Sequence, residues 1–266
     1  MKVLMINLDQ SKDRLEQQKI QFFKLGLVFE RLPAISIKDF TEDEYKKLAF
    51  SGQRPLKQSE LACFLSHKKA WEYVVSLNEP CVVLEDDAVL VNDLKKILAQ
   101  LENLEGSLEF VNLEVHGRKK IVSKQPTFML TGTSFKLFNL YQDRSGTGGY
   151  IIFPKGAKRL LDYMQERPIG LADEFIYSCQ LLKAYQIEPA ALLQSDKCQD
   201  YGVKTNIPYQ SVIALVKNSL EFNLSTPEKF QFKTRRIKRQ LQLGYLNIVN
   251  NLKGSKRDIQ VKAELF

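Results

Sequence analysis

The sequence predicts an α/β fold in which a parallel sheet forms the core and helices cover it. The chain opens with an apolar strand over residues 3–8, a helix from the N-cap Ser11 to Gly26, and a second strand over residues 28–32. Another apolar run, at residues 81–84, is short and β-branched, as is typical of a buried strand. With 266 residues, 44% of them hydrophobic, the chain is long enough to bury a full core.

Two helices are predicted next in the chain. A short helix is expected over residues 41–50, a polar loop over residues 52–57 and a long helix over residues 59–76. At about 100° per residue, Glu60 and His67 fall in the apolar stripe of the long helix, which should be buried. Because buried polar groups need partners, each either anchors neighbouring backbone or points into a ligand cavity.

Three later segments place polar residues or glycines at the ends of predicted elements. Residues 110–114 predict a strand that ends on Glu114. The glycine-rich stretch 146–149 permits close approach of the backbone to a ligand, or forms an ordinary tight turn. Asp173 and Glu174 open a further helix, where they serve either as partners of the helix dipole or as a general base.

An acidic triplet follows the apolar run directly: Glu85, Asp86 and Asp87. Ligands of parallel sheets bind outside the carboxyl ends of the strands. Three carboxylates at such a position need a cation to stay ionised together, unless they form a solvated turn. In an extended backbone Glu85 and Asp87 project to one side, so they can share one hard cation, and Mg²⁺ or Mn²⁺ suits such oxygen ligands better than Zn²⁺. The first hypothesis is therefore metal-assisted chemistry on an anionic substrate.

The charge of the chain is concentrated at its C-terminal end. Residues 215–266 contain eleven Lys and Arg and four acids, a net charge of +7 that leaves only +1 of the total +8 for residues 1–214. We therefore expect a nearly neutral catalytic domain at 1–214 and a basic, helical extension at 215–266. Apolar residues interleave with the cations of the extension, as in a helix that lies on acidic lipid. The alternative is a helix packed on the domain with a solvated basic face.

Several classes of protein are excluded or disfavoured. Four widely spaced cysteines without a CxxC pair predict reduced, buried thiols of a cytosolic protein rather than a disulfide framework or a zinc site. The N-terminal apolar run is too short for a signal peptide, and no run has the length of about 18 residues that a membrane span needs. No GxGxxG motif, Walker loop or nucleic-acid motif occurs, so nucleic acid is not an expected partner.

Four segments in order along the first 195 residues or so resemble the family 25 glycosyltransferases. This family includes bacterial lipooligosaccharide galactosyltransferases and collagen-modifying glycosyltransferases of animals. The resembling segments are Ile6-Asn7-Leu8 with Asp13-Arg14, Glu60-Leu61-Ala62-Cys63-Phe64-Leu65-Ser66-His67 with Trp71, Leu84-Glu85-Asp86-Asp87, and Gly146-Thr147-Gly148-Gly149-Tyr150-Ile151-Ile152.

The resemblance implies a GT-A-like, Rossmann-type fold with a mixed, mainly parallel sheet flanked by helices. It also implies a UDP-sugar donor, UDP-galactose in most bacterial members, a divalent metal (Mn²⁺ or Mg²⁺) and inversion at the anomeric carbon. The chain departs from the family at two places. Pro168-Ile169-Gly170 stands where the family often has Pro-Val-Asp, which displaces the acid to Asp173, and the segment Gln194-Ser195-Asp196-Lys197 matches only loosely.

Guided by this resemblance, we predict roles for individual residues. Asp87 and Glu85 are the predicted metal ligands, and Asp86 faces the ribose or donor sugar or supports Asp87. Asp173 is the predicted catalytic base, with Glu174 and Glu114 as substitutes. The residues predicted to bind the donor are Asn7, Leu8, Arg14, Glu60, Ser66, His67, Glu85, Asp86, Gly148, Gly149 and Tyr150.

The predicted enzyme is a hexosyltransferase of the β-1,4-galactosyltransferase type. Its acceptor is a terminal sugar of lipooligosaccharide or a related glycan on a lipid anchor, which fits a basic tail at the inner face of the bacterial inner membrane. Two other classes stay open: a metal-dependent phosphodiesterase or nuclease, and a non-catalytic module that binds sugar nucleotides.

Overall fold

The computed structural model describes residues 1–142, 146–205 and 224–266. The helices are α1 (Lys12–Leu25), α2 (Glu42–Ala49), α3 (Gln58–Leu77), α4 (Leu94–Glu102), α5 (Pro154–Glu166), α6 (Ala172–Ser178) and α7 (Thr226–Lys253). The strands are β1 (Lys2–Asn7), β2 (Glu30–Pro33), β3 (Cys81–Glu85), β4 (Ala88–Leu90), β5 (Phe110–Asn112), β6 (Lys120–Val122), β7 (Phe128–Met129), β8 (Lys136–Gln142), β9 (Gly149–Ile152), β10 (Ala184–Glu188), β11 (Leu192–Gln194) and β12 (Ser255–Arg257).

The main sheet is mixed, with the order β12-β6-β8-β10-β5-β9-β3-β1-β2 and β7 paired to β8. Strands β2, β1, β3, β5 and β10 run in one direction, because β1 pairs in parallel with β2 and β3, and β10 with β5. Strand β9 lies antiparallel between β3 and β5. The predicted α/β class with a mixed, mainly parallel sheet is confirmed.

Both faces of the central strands are buried. Alternate residues of β1 enter two different clusters: Leu4 and Ile6 pack with Trp71 of α3, whereas Val3 and Met5 pack with Ile97 of α4. This alternation follows from the two-residue period of a strand. Helices on each side thus remove the sheet from water, and the ends of the strands are the places where polar side chains can meet a ligand.

Local signals in the sequence account for the helix boundaries. Gly26 ends α1 in the left-handed conformation (φ 60°), and its N–H donates to the carbonyls of Phe22 and Phe23. Thr41 begins α2 with a capping box that is completed by Glu44. The predicted helices at 11–26, 41–50 and 59–76 and the three predicted strands at 3–8, 28–32 and 81–84 occur with boundaries shifted by one or two residues.

The C-terminal residues pack against the rest of the chain in a way that the charge pattern did not predict. Strand β12 pairs antiparallel with β6, and the N–H of Ala190 donates to the carbonyl of Gln260 at 2.8 Å. The predicted boundary between residues 214 and 215 lies outside the described residues. Because β12 follows α7 directly and pairs with β6, the residues after α7 belong to the main sheet.

All four cysteines are free; Cys81, Cys179 and Cys198 are buried as predicted, whereas Cys63 is half-buried. No helix in the described ranges has the length and apolar character needed to cross a bilayer.

Candidate active site

Glu85, the last residue of β3, is the first member of the acidic triplet. Its Oε1 accepts a hydrogen bond from Thr147 Oγ1 at 2.7 Å and lies 3.2 Å from His67 Nε2. Burial opposes ionisation of this carboxyl, but the bonds from His67 and Thr147 outweigh it and lower the pKa of Glu85 below its ordinary value. Glu85 is therefore held as a carboxylate inside the protein.

His67 reaches Glu85 as part of a buried chain of hydrogen bonds. Trp71 Nε1 donates to the Tyr150 hydroxyl at 2.9 Å, and that hydroxyl lies 2.9 Å from His67 Nδ1. An indole nitrogen can only donate, so the Tyr150 hydroxyl accepts from Trp71 and is free to donate to His67 Nδ1. In this arrangement His67 carries its proton on Nε2, which faces Glu85. The histidine in the apolar stripe is thus a satisfied core residue that also orients the triplet.

Asp86 turns away from Glu85, toward the first helix. Its Oδ1 accepts from Arg14 Nη1 at 2.9 Å, and its Oδ2 accepts from Asn7 Nδ2 at 2.7 Å. Burial raises the pKa of Asp86 above its ordinary value, although Arg14 and Asn7 favour the charged form. Arg31 Nε in turn donates to Asn7 Oδ1 at 2.9 Å. Asn7 of β1 and Arg14 of α1 therefore both donate hydrogen bonds to Asp86, and these bonds hold the triplet in its orientation.

Asp87 lacks the partners that its neighbours have. Its Oδ1 is buried and has no hydrogen-bond partner within the described part of the chain. Burial, followed by the negative charges of Glu85 and Asp86, raises the pKa of Asp87 to about 7. The backbone is firmly placed, because Ser195 N donates to the Asp87 carbonyl at 3.0 Å. A carboxylate that is fixed in place and lacks a partner is a site where a cation would bind.

Glu114 is a second buried acid beside the triplet. Strand β5 is shorter than predicted, and Glu114 follows it in an isolated bridge to Leu192. Its Oε2 accepts from Gln194 Nε2 at 3.3 Å, while its Oε1 has no hydrogen-bond partner in the described ranges. Burial raises the pKa of Glu114 well above its ordinary value; Lys120 opposes this shift, and Glu85 and Asp87 add to it. The surroundings of Glu114 therefore favour its neutral form over its charged form.

Glycines make room for the Glu114 side chain. A Cβ atom built on Gly146 would overlap the Glu114 carboxylate, and one built on Gly148 would lie 2.5 Å from Glu114 Oε2 and 2.8 Å from Gln194 Nε2. Gly146 also has a φ of 99°, which other residues rarely adopt. The glycine-rich stretch thus admits an acid side chain close to its backbone.

Cys63 lies beside the triplet and also feels the charge of Asp173. Burial, followed by the charges of Glu85, Asp173 and Asp87, raises the pKa of the Cys63 thiol well above its ordinary value. The Cys63 sulfur lies within 4.8 Å of a ligand atom of His67 and of Glu85. Because a protonated thiol is a poor metal ligand, the carboxylates are the better donors for a cation here.

The two acids at the start of α6 have different partners. Glu174 accepts from Gln53 Nε2 at 2.6 Å and lies 3.5 Å from Arg239 Nε of α7. Asp173 Oδ1 accepts from the N–H of Glu174 at 2.7 Å. Both line a cleft of about 400 Å³ between α6 and α7, whose cationic lining residues are Arg118, Lys119, Arg239 and Lys256.

Other predicted donor-binding residues have structural partners. Glu60 accepts from Arg54 at 2.8 and 2.9 Å and from the N–H of Lys57. The Ser66 hydroxyl donates to the Ala62 carbonyl and accepts from the N–H of Ile35. Leu8 accepts from the N–H of Ser11 through its carbonyl. Gly149 lies where a Cβ would meet Leu192 and Leu84. Their roles toward a donor stay predictions.

The sequence reasoning missed several residues of the site. Thr147 and Gln194 bond directly to the acids, and Lys120 Nζ donates to the Glu114 carbonyl at 3.0 Å. His116 follows Glu114 closely in the chain. Burial and then Lys197 lower the pKa of its imidazole, and its Nδ1 has no hydrogen-bond partner among the described residues. As one of only two histidines, closely following a strand, His116 carried a signal that could have been used.

Comparison with known proteins identifies a family match. Residues 1–176 match the model of "Glycosyltransferase family 25 (LPS biosynthesis protein)". A "Glycosyltransferase 25 family member" of Aedes aegypti is 28% identical over 65% of this chain and 30% of its own length. "Procollagen galactosyltransferase 1-B" of Xenopus laevis is 27% identical over 75% of this chain and 37% of its own length. The chain thus spans about a third of the length of these two relatives.

Among solved structures, a Drosophila β-1,4-galactosyltransferase 7 in complex with manganese, UDP-Gal and xylobiose has a TM-score of 0.37 to this chain. It is 10% identical over 82% of this chain and 80% of that one.

Proposed function

The chain belongs to glycosyltransferase family 25, and on that premise we propose that it is an inverting hexosyltransferase that moves galactose from UDP-galactose onto a terminal sugar of a lipooligosaccharide or related glycan. The observation that carries the proposal is the buried Asp87 Oδ1, which has no hydrogen-bond partner among the described residues and lies near the charges of Glu85 and Glu114. A diphosphate leaving group develops negative charge as the sugar departs, and a divalent cation is the usual means of stabilising it.

The residues present fit a divalent cation. Asp87 and Glu85 would hold it. The pKa of Glu85 is lowered, the pKa of Asp87 is about 7, and Asp87 Oδ1 has no hydrogen-bond partner in the described ranges. When bound, Mn²⁺ or Mg²⁺ would neutralise charge on the two phosphates of the donor. The acids around Asp87 include Asp196, whose charge adds to the rise in its pKa. The donor set is made of carboxylate oxygens, which suits a hard cation.

The surrounding residues keep this site in one geometry. The chain from Trp71 through Tyr150 and His67 orients Glu85, while Arg14 and Asn7 hold Asp86 from the other side. Because these partners are buried, the triplet needs little rearrangement when a donor binds.

Asp173 is the proposed general base. Asp173 lines the cleft. Glu174 lines it too but is bonded to Gln53 and lies near Arg239, and burial raises the pKa of Glu114 well above its ordinary value. The acceptor hydroxyl oxygen forms a bond to the anomeric carbon as the bond from that carbon to the phosphate oxygen breaks. The hydroxyl proton passes to Asp173, and UDP leaves with the electron pair.

We further propose that the acceptor carries a lipid anchor and that the protein works at the inner face of the bacterial inner membrane. The basic residues of α7 support this placement, since anionic lipid attracts such clusters.

A donor-binding and transfer experiment tests the function. Thermal unfolding with a panel of UDP-sugars, each with and without Mn²⁺, should show a metal-dependent rise in Tm with UDP-galactose. Asp87→Asn should lower galactose transfer at least about a hundredfold, whereas the exposed control Asp162→Asn should leave it unchanged. Hydrolysis of the donor without any acceptor product would favour a phosphodiesterase, and donor binding without turnover a binding module. Either result would overturn the proposal.

A further inference from the structure

Helix α7 has two apolar faces, of which only one packs against the residues that the structure describes. On the packed face Phe232 is buried, with its ring 6.3 Å from that of Phe50. Arg235 Nη1 donates to the carbonyls of Phe50 and Gly52 at 3.1 Å, and the buried Asn250 donates to the Tyr141 carbonyl at 3.2 Å. These contacts at both ends of the helix determine which way its opposite face points.

The opposite face carries a stripe of large apolar side chains that are exposed. At about 100° per residue the stripe members fall within a sector of about 80° that lies opposite Phe232 and Asn250. They are Phe230, Ile237, Leu241, Tyr245, Ile248 and Leu252, with exposed fractions of 70, 48, 71, 67, 66 and 80%. We call these six residues the outer stripe. An amphipathic helix normally turns polar residues to water, so this arrangement is reversed from the usual one.

Cations flank the outer stripe. By the same angular count Lys233 and Lys238 lie on either side of it. The whole helix has seven Lys and Arg residues and one acid, Glu228, in its first turn. Apolar residues bordered by lysines are the pattern of a helix that lies in the interface of an anionic bilayer.

We propose that the outer stripe of α7 seats in the surface of an anionic lipid bilayer and thereby sets the orientation of the whole protein. A second copy of the chain is a poorer occupant, because two antiparallel or parallel α7 helices would bring their lysines together. Anionic lipid headgroups instead neutralise the same cations.

The seating has a consequence for the acceptor, and this step rests on the proposed function. The inner side of α7 supplies Arg239, Leu243 and Asn247 to the cleft that also contains Asp173. The cleft is therefore separated from the bilayer by the width of one helix, about 10 Å. A glycan attached to a lipid would reach Asp173 while its anchor stays in the membrane, whereas a free sugar gains nothing from the seating.

Co-sedimentation of the full chain with vesicles tests the seating. We expect binding to vesicles of phosphatidylcholine and phosphatidylglycerol, and little binding to phosphatidylcholine alone. The triple variant Leu241→Ser, Tyr245→Ser, Ile248→Ser should lower the partition coefficient at least about tenfold, because each side chain loses apolar burial. A matched variant, Phe23→Ser, Val28→Ser, Met129→Ser, removes exposed apolar side chains elsewhere and should bind as the unmodified chain does.

A charge variant separates the lysines from the apolar stripe. Lys229→Gln, Lys233→Gln, Lys238→Gln should weaken binding to anionic vesicles at low salt by at least about tenfold, while Lys24→Gln, Lys38→Gln, Lys95→Gln should have no effect. Unchanged binding by either α7 variant would overturn the proposal. A dimer in light scattering that dissociates in the serine variant would place a second copy on the stripe, and slow maleimide labelling of Leu241→Cys without vesicles would place another part of this chain there; both outcomes would also overturn it.

Transfer to a water-soluble acceptor distinguishes failure of this inference from failure of the proposed function. The serine variant should keep that transfer and lose at least about tenfold of the transfer to an acceptor embedded in anionic vesicles. Vesicle binding without any transfer would leave the seating intact and refute the transferase, and transfer with no dependence on vesicles would refute the seating alone.

Discussion

A buried glutamate lies near each end of strand β5, and the surroundings shift the pKa values of the two in opposite directions. Glu109, just before the strand, lies 2.9 Å from Arg159 and 3.3 Å from Lys155 and accepts from the N–H of Lys183. Burial opposes its ionisation, but these partners outweigh burial and lower the pKa of Glu109. Burial raises the pKa of Glu114, just after the strand, although Lys120 opposes the shift. The Oε1 of Glu114 has no hydrogen-bond partner in the described part of the chain. The charge of Glu109 is thus balanced by groups of the protein, whereas Glu114 lies at the end of the sheet where we propose that a cation binds.

Asp87→Asn should produce the largest effect on activity. Such an effect would confirm that the end of the sheet with the acidic triplet is the functional one. The amide cannot serve as an anionic metal ligand, so kcat/KM for transfer should fall at least about a hundredfold. The free energy of unfolding should stay equal or rise, because an unfavourable buried charge is removed. Steady-state kinetics and denaturant unfolding of the same preparation check both parts. A loss of stability with retained activity would reverse the assignment.

Glu109→Gln should behave in the opposite way. The substitution leaves Arg159 and Lys155 without their counter-ion and should lower the free energy of unfolding by about 2 kcal/mol. Activity per folded molecule should not change, since this end of the sheet lies away from the triplet. Urea denaturation, with transfer measured well below the transition, gives both quantities. A drop in kcat without a change in stability would show that the two ends are coupled.

Two glycine substitutions sharpen the comparison between the crowded site and the exposed helix. Gly148→Ala should destabilise by about 1–3 kcal/mol, because its Cβ meets Glu114 and Gln194. Gly244→Ala in α7 meets nothing within 4 Å and should stabilise by about 0.5–1 kcal/mol. Thermal unfolding of both variants is the measurement. Equal effects would mean that Glu114 can move aside freely.

The pH dependence of stability should follow the raised pKa of Asp87. The pKa of Asp87 in the folded protein, about 7, lies above its value in the unfolded chain. Below the unfolded pKa the group does not change the free energy of unfolding. As the pH rises toward the folded pKa, the group lowers that free energy. A divalent cation should offset this loss, so its stabilising effect should be larger by about 1 kcal/mol near pH 8 than near pH 5. Asp87→Asn should abolish the difference. Calorimetry at the two pH values measures this effect, with Asp162→Asn as control. A stabilising effect of the cation that does not depend on pH would contradict the prediction.

The sequence predicted the helix ends, which depend on neighbouring residues. It did not predict the contacts between residues that are far apart in the chain. Gly26 and Thr41 begin or end helices through contacts within a few residues, which can be read from the sequence. The bond between Arg14 and Asp86 joins residues 72 positions apart, and the insertion of β9 between β3 and β5 depends on sheet assembly rather than on propensity. Such pairings are decided by packing of the whole domain.

The same limit applies to the site and to α7. The acidic triplet was visible because three acids follow an apolar run, but the partners that distinguish Asp86 from Asp87 come from β1 and α1. The apolar residues of the extension were equally visible. Which of them pack inward, as Phe232 does, and which face outward, as Leu241 does, depends on the contacts of the helix with Phe50 and Tyr141.

The measurement that tests the central claim most directly is titration of Mn²⁺ into the protein by isothermal calorimetry near pH 8, in the presence of UDP. We predict saturable binding of Mn²⁺ to the unmodified chain and to Asp162→Asn. The affinity of Asp87→Asn for Mn²⁺ should be at least about a hundredfold lower. Equal affinity in Asp87→Asn would contradict the claim that Asp87, which follows β3 closely, holds a cation.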